Sequence, residues 1–226
     1  MALDDSLTKS LLHLDTDFTD ESSKTWTGNG GIAVGATGAK FGAGALQCGA
    51  SKWIDTPDHA DWYPADGNFT ADMWLYPSAI NQNSTYVCGQ GDGADVNSSW
   101  NISLQNDESI WGALVSGGTL YIAKTAAGTY AANTLLHIAL ERYNNTLKIA
   151  ANGAFQATTA NVTGVTANNS AYKMSIGRLG EYNGLYYLGA VDEFRWSLTA
   201  RYGGANFTPP TAPYAPLLSR PQIIII

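Results

Sequence analysis

The chain has 226 residues, a length that fits one large all-β domain or at most two small ones. Hydrophobic content of 45% and aromatic content of 11% suffice for a sizeable core, while only 14% of residues are charged, so Asn, Ser, Thr and Gly must finish the surface. A net charge of −7 with no cluster of Lys and Arg excludes a phosphate-binding surface and hence a nucleic-acid partner, and no run of 18 apolar residues offers a membrane-crossing helix.

The opening MALDDSLTKSLLHLD has neither a basic n-region nor an apolar h-region, so no secretory signal is expected. Residues 1–10 read as a short N-terminal arm, and a domain is expected from residue 11 to residue 207. GALQCG and TYVCGQ are strand-like runs that hold Cys48 and Cys88, read as buried free thiols because two cysteines form neither a disulfide framework nor a metal-ligand spacing. DHADWYPADG offers at best a turn of helix. In ADMWLYP, Ala71, Met73 and Leu75 share one face, and Asp72, Trp74 and Tyr76 the other. GQGDGADVNSSWN (89–101) reads as a loop carrying Trp100.

LLHIALERYNNT alternates and turns at Asn144-Asn145. In NTLKIAANGAFQATT, Asn152-Gly153 supplies the two positive-φ positions of a type I′ turn, so three antiparallel strands form a meander. YKMSIGRLG adds a strand with Tyr172, Met174 and Ile176 inward. GRLGEYNGLYY (177–187) reads as a second loop, with Tyr182 and Tyr186 exposed. VDEFRWS is a strand with an acidic pair, Asp192-Glu193, in its middle. Residues 208–226 form a proline-punctuated extended arm, pinned at its start by Phe207 and Tyr214 and ending in Ile223, Ile224, Ile225 and Ile226. Four adjacent isoleucines are an aggregation hazard unless covered, which makes them the candidate contact with another subunit. Eight Asn-x-Ser/Thr sequons fall in these turns and read as a by-product of composition.

Short alternating runs at about ten-residue spacing indicate an all-β sandwich or barrel. LLHLDTDFTDESS (11–23), KFGAGALQC (40–48), DGNFTADMWLYPS (66–78), LLHIALERYNNTLKIAANGAF (135–155), MSIGRLG (174–180) and LGAVDEFRWS (188–197) follow one another in an order that resembles the laminin-G-like branch of the concanavalin A-like domains. The resemblance implies an antiparallel two-sheet jelly roll. The closing ARY…NFTPPTAPY is similar to the last segment of such domains in tailed-bacteriophage virion proteins. It implies a virion location, other virion subunits as partners and a homo-oligomer. The resemblance also implies a structural Ca²⁺, with Asp192 on the last strand and Asp15 near the first as ligands, completed by carbonyls and water. The alternative is that Asp192 accepts hydrogen bonds from first-strand backbone, with Glu193 paired to Arg195 or in solvent.

Three function classes remain to be weighed. Retaining hydrolysis of glycosides needs two carboxyl groups about 5–5.5 Å apart. The Glu-x-Asp-x-Glu run of such enzymes is missing, and the five Glu residues are scattered, so the chain is expected to be non-enzymatic. His137 matches a packing position of the family. A glycan-binding module would stack sugars on exposed rings, with Trp100, Tyr182 and Tyr186 as candidates. A virion structural protein, a capsid decoration protein or small head or tail accessory, is the leading expectation. A glycan- or receptor-binding module of a tail fibre is the alternative.

Overall fold

Half-apolar strands must bury one face, and here two antiparallel sheets bury theirs in each other. The computed structural model describes residues 5–80 and 82–217. The first sheet runs in the order β13 (Ala154–Phe155), β12 (Thr146–Ala151), β11 (Leu136–Tyr143), β6 (Phe69–Pro77), β16 (Gly189–Ser197), β4 (Ala45–Cys48) and β3 (Val34–Gly35). In the same sheet β1 (Thr8–Leu12) lies beside β16, and β14 (Ala160–Asn161) beside β12. The second sheet runs β10 (Thr119–Lys124), β9 (Ile110–Ser116), β8 (Trp100–Leu104), β7 (Thr85–Gln90), β15 (Met174–Ile176), β5 (Trp53–Thr56) and β2 (Thr27–Asn29). This is the two-sheet jelly-roll sandwich that the resemblance implies and one of the two architectures the patterning allows.

The core follows the alternation. Ala71, Met73 and Leu75 of β6 point inward together with Ile138 and Leu140 of β11 and Ile102 and Leu104 of β8. Trp100 of β8 stacks on Trp196 of β16, with centroids 4.4 Å apart and rings 3° from parallel, so one aromatic pair joins the two sheets. Trp62, at the end of the short 3-10 turn Ala60–Trp62, packs against Trp196 and Trp26. Asn144-Asn145 and Asn152-Gly153 all have positive φ, and the meander β11–β12–β13 turns at them as expected. Two expectations need correction. The boundary at residue 10 falls inside β1, where Thr8 pairs with Ser197 and Ser10 with Trp196. Tyr172 precedes β15 and is only half-buried; Met174 and Ile176 alone of that trio reach the core.

The acidic pair of β16 sits where that strand changes neighbours. Gly189–Val191 pair with β4, whereas Phe194–Ser197 pair with β1. The register against β6 slips between Asp192 and Arg195, and Glu193 has φ +52. A bulge inserts one extra residue, breaks the ladder locally and shifts the alternation by one. Val191, Phe194 and Trp196 therefore all reach the core, while Asp192 and Glu193 both face away from it.

Candidate binding groove

Both carboxylates proposed for calcium land on the loop 36–44 between β3 and β4. Asp192 Oδ2 accepts from the amides of Lys40 (2.7 Å) and Phe41 (3.1 Å), and its Oδ1 from that of Glu193 (3.0 Å). Asp15 Oδ1 accepts from the Ala43 amide at 3.2 Å. Gly42, with φ +58, lies so close to the Asp15 carboxylate that a Cβ there would overlap it. The loop is thus held from two sides by amide donors. Ca²⁺ needs six to eight oxygens, whereas these carboxylates face N–H groups, and no third acidic or imidazole side chain completes a metal-holding group among the described residues. The donor set does not fit calcium. Asp192 is pushed up to about 6 by burial, against the amide bonds from Phe41 and Lys40.

The open alternative also needs correction. Asp192 takes its donors from the loop 36–44 and not from the first strand. Glu193 is buried, accepts from His13 Nδ1 (2.8 Å) and from the Tyr214 amide (2.9 Å), and leaves Arg195 to Asp72. Tyr214 thus anchors the arm: its hydroxyl donates to Asp72 (3.0 Å), and Arg195 lies 3.8 Å over its ring. Phe207 stacks on Tyr202 and meets His137 edge-on. Burial pushes His137 down to about 4, and its neutral ring packs between Trp74, Tyr202 and Phe207. Ile223–Ile226 lie outside the described residues.

A different surface offers a ligand site. On the outer face of the second sheet, one cross-strand row reads Tyr86, Ser103, Trp111, Lys124, and the next reads Asn101, Ala113, Ile122. Small side chains in the middle strands lie between large ones at either side, which leaves a groove of about 120 Å³. Ser84, Asn101, Ser103 and Ser98 give it hydroxyl and amide groups, while Leu120, Ile122 and Leu179 give it apolar wall. Trp111 and Tyr86, both half-buried, line it. Trp111 Nε1 donates to Ser109 Oγ (3.1 Å), which fixes its plane. The loop 91–99, closed by Asp92 and by Asn168, forms one rim. Asp92 accepts from the Ala94 amide and the Asn97 side chain, and Asn168 Nδ2 donates to the carbonyls of Asp95, Val96 and Ser98.

The three ring candidates separate on this surface. Trp100 is fully buried, because it lies on the same side of β8 as Ile102 and Leu104 and belongs to the core; it is no ligand platform. Tyr182 is half-buried at the groove rim, edge-on to Tyr86 at 6.0 Å. Tyr186 bridges Tyr86 through its backbone, but its ring turns to stack on Trp53 (5.6 Å, 27°), whose other neighbour is the Arg178 guanidinium at 3.9 Å. The alternation of SWNISL already places Asn101 and Ser103 outward and Trp100 inward. In SIWGAL it places Trp111 outward by the same rule.

A family model described as "Concanavalin A-like lectin/glucanases superfamily" (Laminin_G_3) matches residues 48–202. No curated protein matches the chain in sequence. Among solved structures the fold is similar to the binding domain of Paraclostridial Mosquitocidal Protein 1, with TM-score 0.67 and 14% identity over 87% of this chain and 50% of that one. It is also similar to the binding domain of botulinum neurotoxin DC in complex with SialylT, with TM-score 0.65 and 12% identity over 87% and 49%. Domain 4 of AbnA, a GH43 extracellular arabinanase from Geobacillus stearothermophilus in complex with arabinotriose, gives TM-score 0.59 and 20% identity over 85% and 93%. The chain spans about half the length of the toxin binding domains and nearly all of the arabinanase domain.

Proposed function

The chain belongs to the concanavalin A-like lectin/glucanases superfamily, in its Laminin_G_3 branch, and from that premise we propose that it is a non-catalytic saccharide-binding module. The observation that carries this reading is the groove of Tyr86, Asn101, Ser103 and Trp111 on the outer face of the second sheet. Half-buried aromatic rings in the lining give a sugar's C–H surface something to stack on, and adjacent hydroxyl and amide groups match its own hydroxyls. Asp95 is the only carboxylate lining the groove, which leaves acid–base hydrolysis without its second partner and favours binding over cleavage. The similar botulinum neurotoxin DC binding domain is in complex with SialylT and the arabinanase domain with arabinotriose, which supports the same class. Replacing Trp111 by Ala should abolish retention on a glycan array while leaving the melting curve within a few degrees of wild type. Undiminished retention would refute the groove as the site.

The virion setting is the second reading, favoured by the similarity of NFTPPTAPY to tailed-phage virion proteins and by an arm docked on the first sheet. On this reading the module is carried on the particle surface, as a decoration protein, an accessory or part of a tail fibre. Residues 223–226 then engage another subunit or a second copy of this chain. Saccharide binding now leads and the structural role follows, an inversion of the order suggested by sequence.

A further inference from the structure

The groove, about 120 Å³, is far smaller than the roughly 300–1,000 Å³ of sites for drug-sized ligands, a scale that suits one ring seated against its floor better than a chain lying lengthwise. Of its twelve lining residues, Asp95 is the only charged one. Asp95 is exposed at the mouth, and its position is set by a loop that cannot easily swing. Asn168 grips the backbone carbonyls of Asp95, Val96 and Ser98 and accepts from the Gly117 amide in the β9–β10 turn (2.8 Å), tying both rims together. The carboxylate field reaches across the groove: Tyr86 has its phenol raised by burial, by Tyr182 and by Asp95. Of the described cations, Lys124 lies 5.6 Å over the Trp111 ring and feels Asp107, and Arg178 faces Glu181 and Tyr186. Neither lines the groove. Loop neighbours Asp92 and, beyond Gly180, Glu181 add negative charge at that end.

Resting on the saccharide reading above, we propose that the groove takes a single uncharged sugar, a terminal or branch hexose or N-acetylhexosamine, and turns away sialylated and uronic sugars, with Asp95 as the specificity-determining residue. A carboxylate with no ion-pair partner among the described residues accepts from two vicinal hydroxyls of a neutral ring, and the same carboxylate repels an acidic ring. A built acidic-sugar site would carry Arg or Lys in the lining, and this lining holds neither.

The test uses the full chain and matched glycan pairs: galactose-terminated against sialylated, and glucose-terminated against glucuronate-terminated. The uncharged member of each pair should bind at least about fivefold more tightly at low salt, the scale of two like charges about 4 Å apart in water. That gap should narrow as salt is raised to about 0.5 M. Asp95→Asn should weaken the neutral member and close the gap, and Asp95→Lys should invert it; both are surface changes at an exposed position. Acidic members that bind as well as neutral ones, or a gap that survives Asp95→Asn, would overturn the charge assignment and leave saccharide binding intact. Retention of neither class, in the wild type or in Asp95→Lys, would overturn the saccharide reading itself, and this proposal with it.

Discussion

Two tryptophans on neighbouring strands of the second sheet have opposite fates, decided by one step of register. Trp100 opens β8 on the core side and stacks on Trp196; Trp111, second in β9, faces outward beside Ser103. Period two alone makes this distinction. It is legible in SWNISL once the strand is taken to start at Trp100. The Gly-, Asp-, Asn- and Ser-rich run before it hides that start, which is why loop composition misplaces the residue. The two rings should therefore fail differently. Trp100→Ala should cost about 3–5 kcal/mol of unfolding free energy, the usual penalty for emptying a core aromatic site. Trp111→Ala should cost little stability and all of the binding. Denaturant titration of the two variants checks the contrast. Equal midpoints would mean that the Trp100–Trp196 stack is not the joint between the sheets. Asn168 carries the same lesson for polar residues, since its Asn-x-Ser sequence reads as a glycan acceptor while its side chain is consumed in holding the groove's rims.

At the scale of elements, the bulge in β16 is the feature no composition rule reaches, because it arises where one strand trades β4 for β1. The acidic pair is visible in the sequence; the division of labour is not. Asp192 holds the loop 36–44, and Glu193 holds the C-terminal arm through Tyr214 and, with Glu21, grips His13. These groups give the fold a particular response to pH. Burial raises Asp192 to about 6 from an ordinary 3.8, and it raises Glu193 as well. The folded state therefore holds these protons more tightly than the unfolded chain, and the stability they contribute is present at low pH and lost as pH rises through their raised values, about 6 for Asp192. Burial opposes charge on His13, but hydrogen bonds and charge from Glu193 and Glu21 outweigh it and lift the imidazole above 6.5. Its contribution is complete below 6.5 and is lost as pH rises past its raised value. Asp72 runs the other way: against burial, Arg195 lowers it, so its contribution is present above 3.8 and is lost in stronger acid. Unfolding free energy, and with it the melting temperature, should thus be higher near pH 5 than near pH 8, by about 1 kcal/mol from Asp192, with Glu193 and His13 acting in the same direction. Asp192→Asn should flatten the part between about pH 4 and 6, and His13→Gln the part above it. A wild-type curve that rises from pH 5 to pH 8 would contradict these assignments. In the same assay excess chelator should leave the melting temperature unmoved, since the loop 36–44 is held by amides. A loss restored by Ca²⁺ would show that the carboxylates turn to a cation instead.

For the whole molecule, the layered architecture is what the sequence discloses best, because alternation, turn residues and aromatic content all act locally and agree with one another. The arm is half legible. Prolines exclude helix and central strand from it, and Phe207 and Tyr214 are its apolar anchors as expected. The buried acceptors that receive it, Asp72 and Glu193, lie on different strands and come together only in the fold. The described part of the arm closes at Leu217, whose amide donates to Glu21 (2.5 Å). Deleting residues 222–226 should accordingly leave melting temperature and glycan retention unchanged while weakening self-association or attachment to a particle. Sedimentation of the truncated and full chains side by side checks this, and identical association would remove the partner role of the isoleucines.

The docked arm also has a mechanical meaning. Its contacts follow one another along the chain: Leu217 on Glu21, Tyr214 on Glu193 and Asp72, Phe207 on Tyr202 and His137. Tension applied beyond residue 217 meets them one at a time, so the arm yields by peeling and dissipates a pull in small steps. That load enters β16 and its neighbours in the first sheet. The groove, on the outer face of the second sheet, is off the line of force and keeps its shape while the tether is strained.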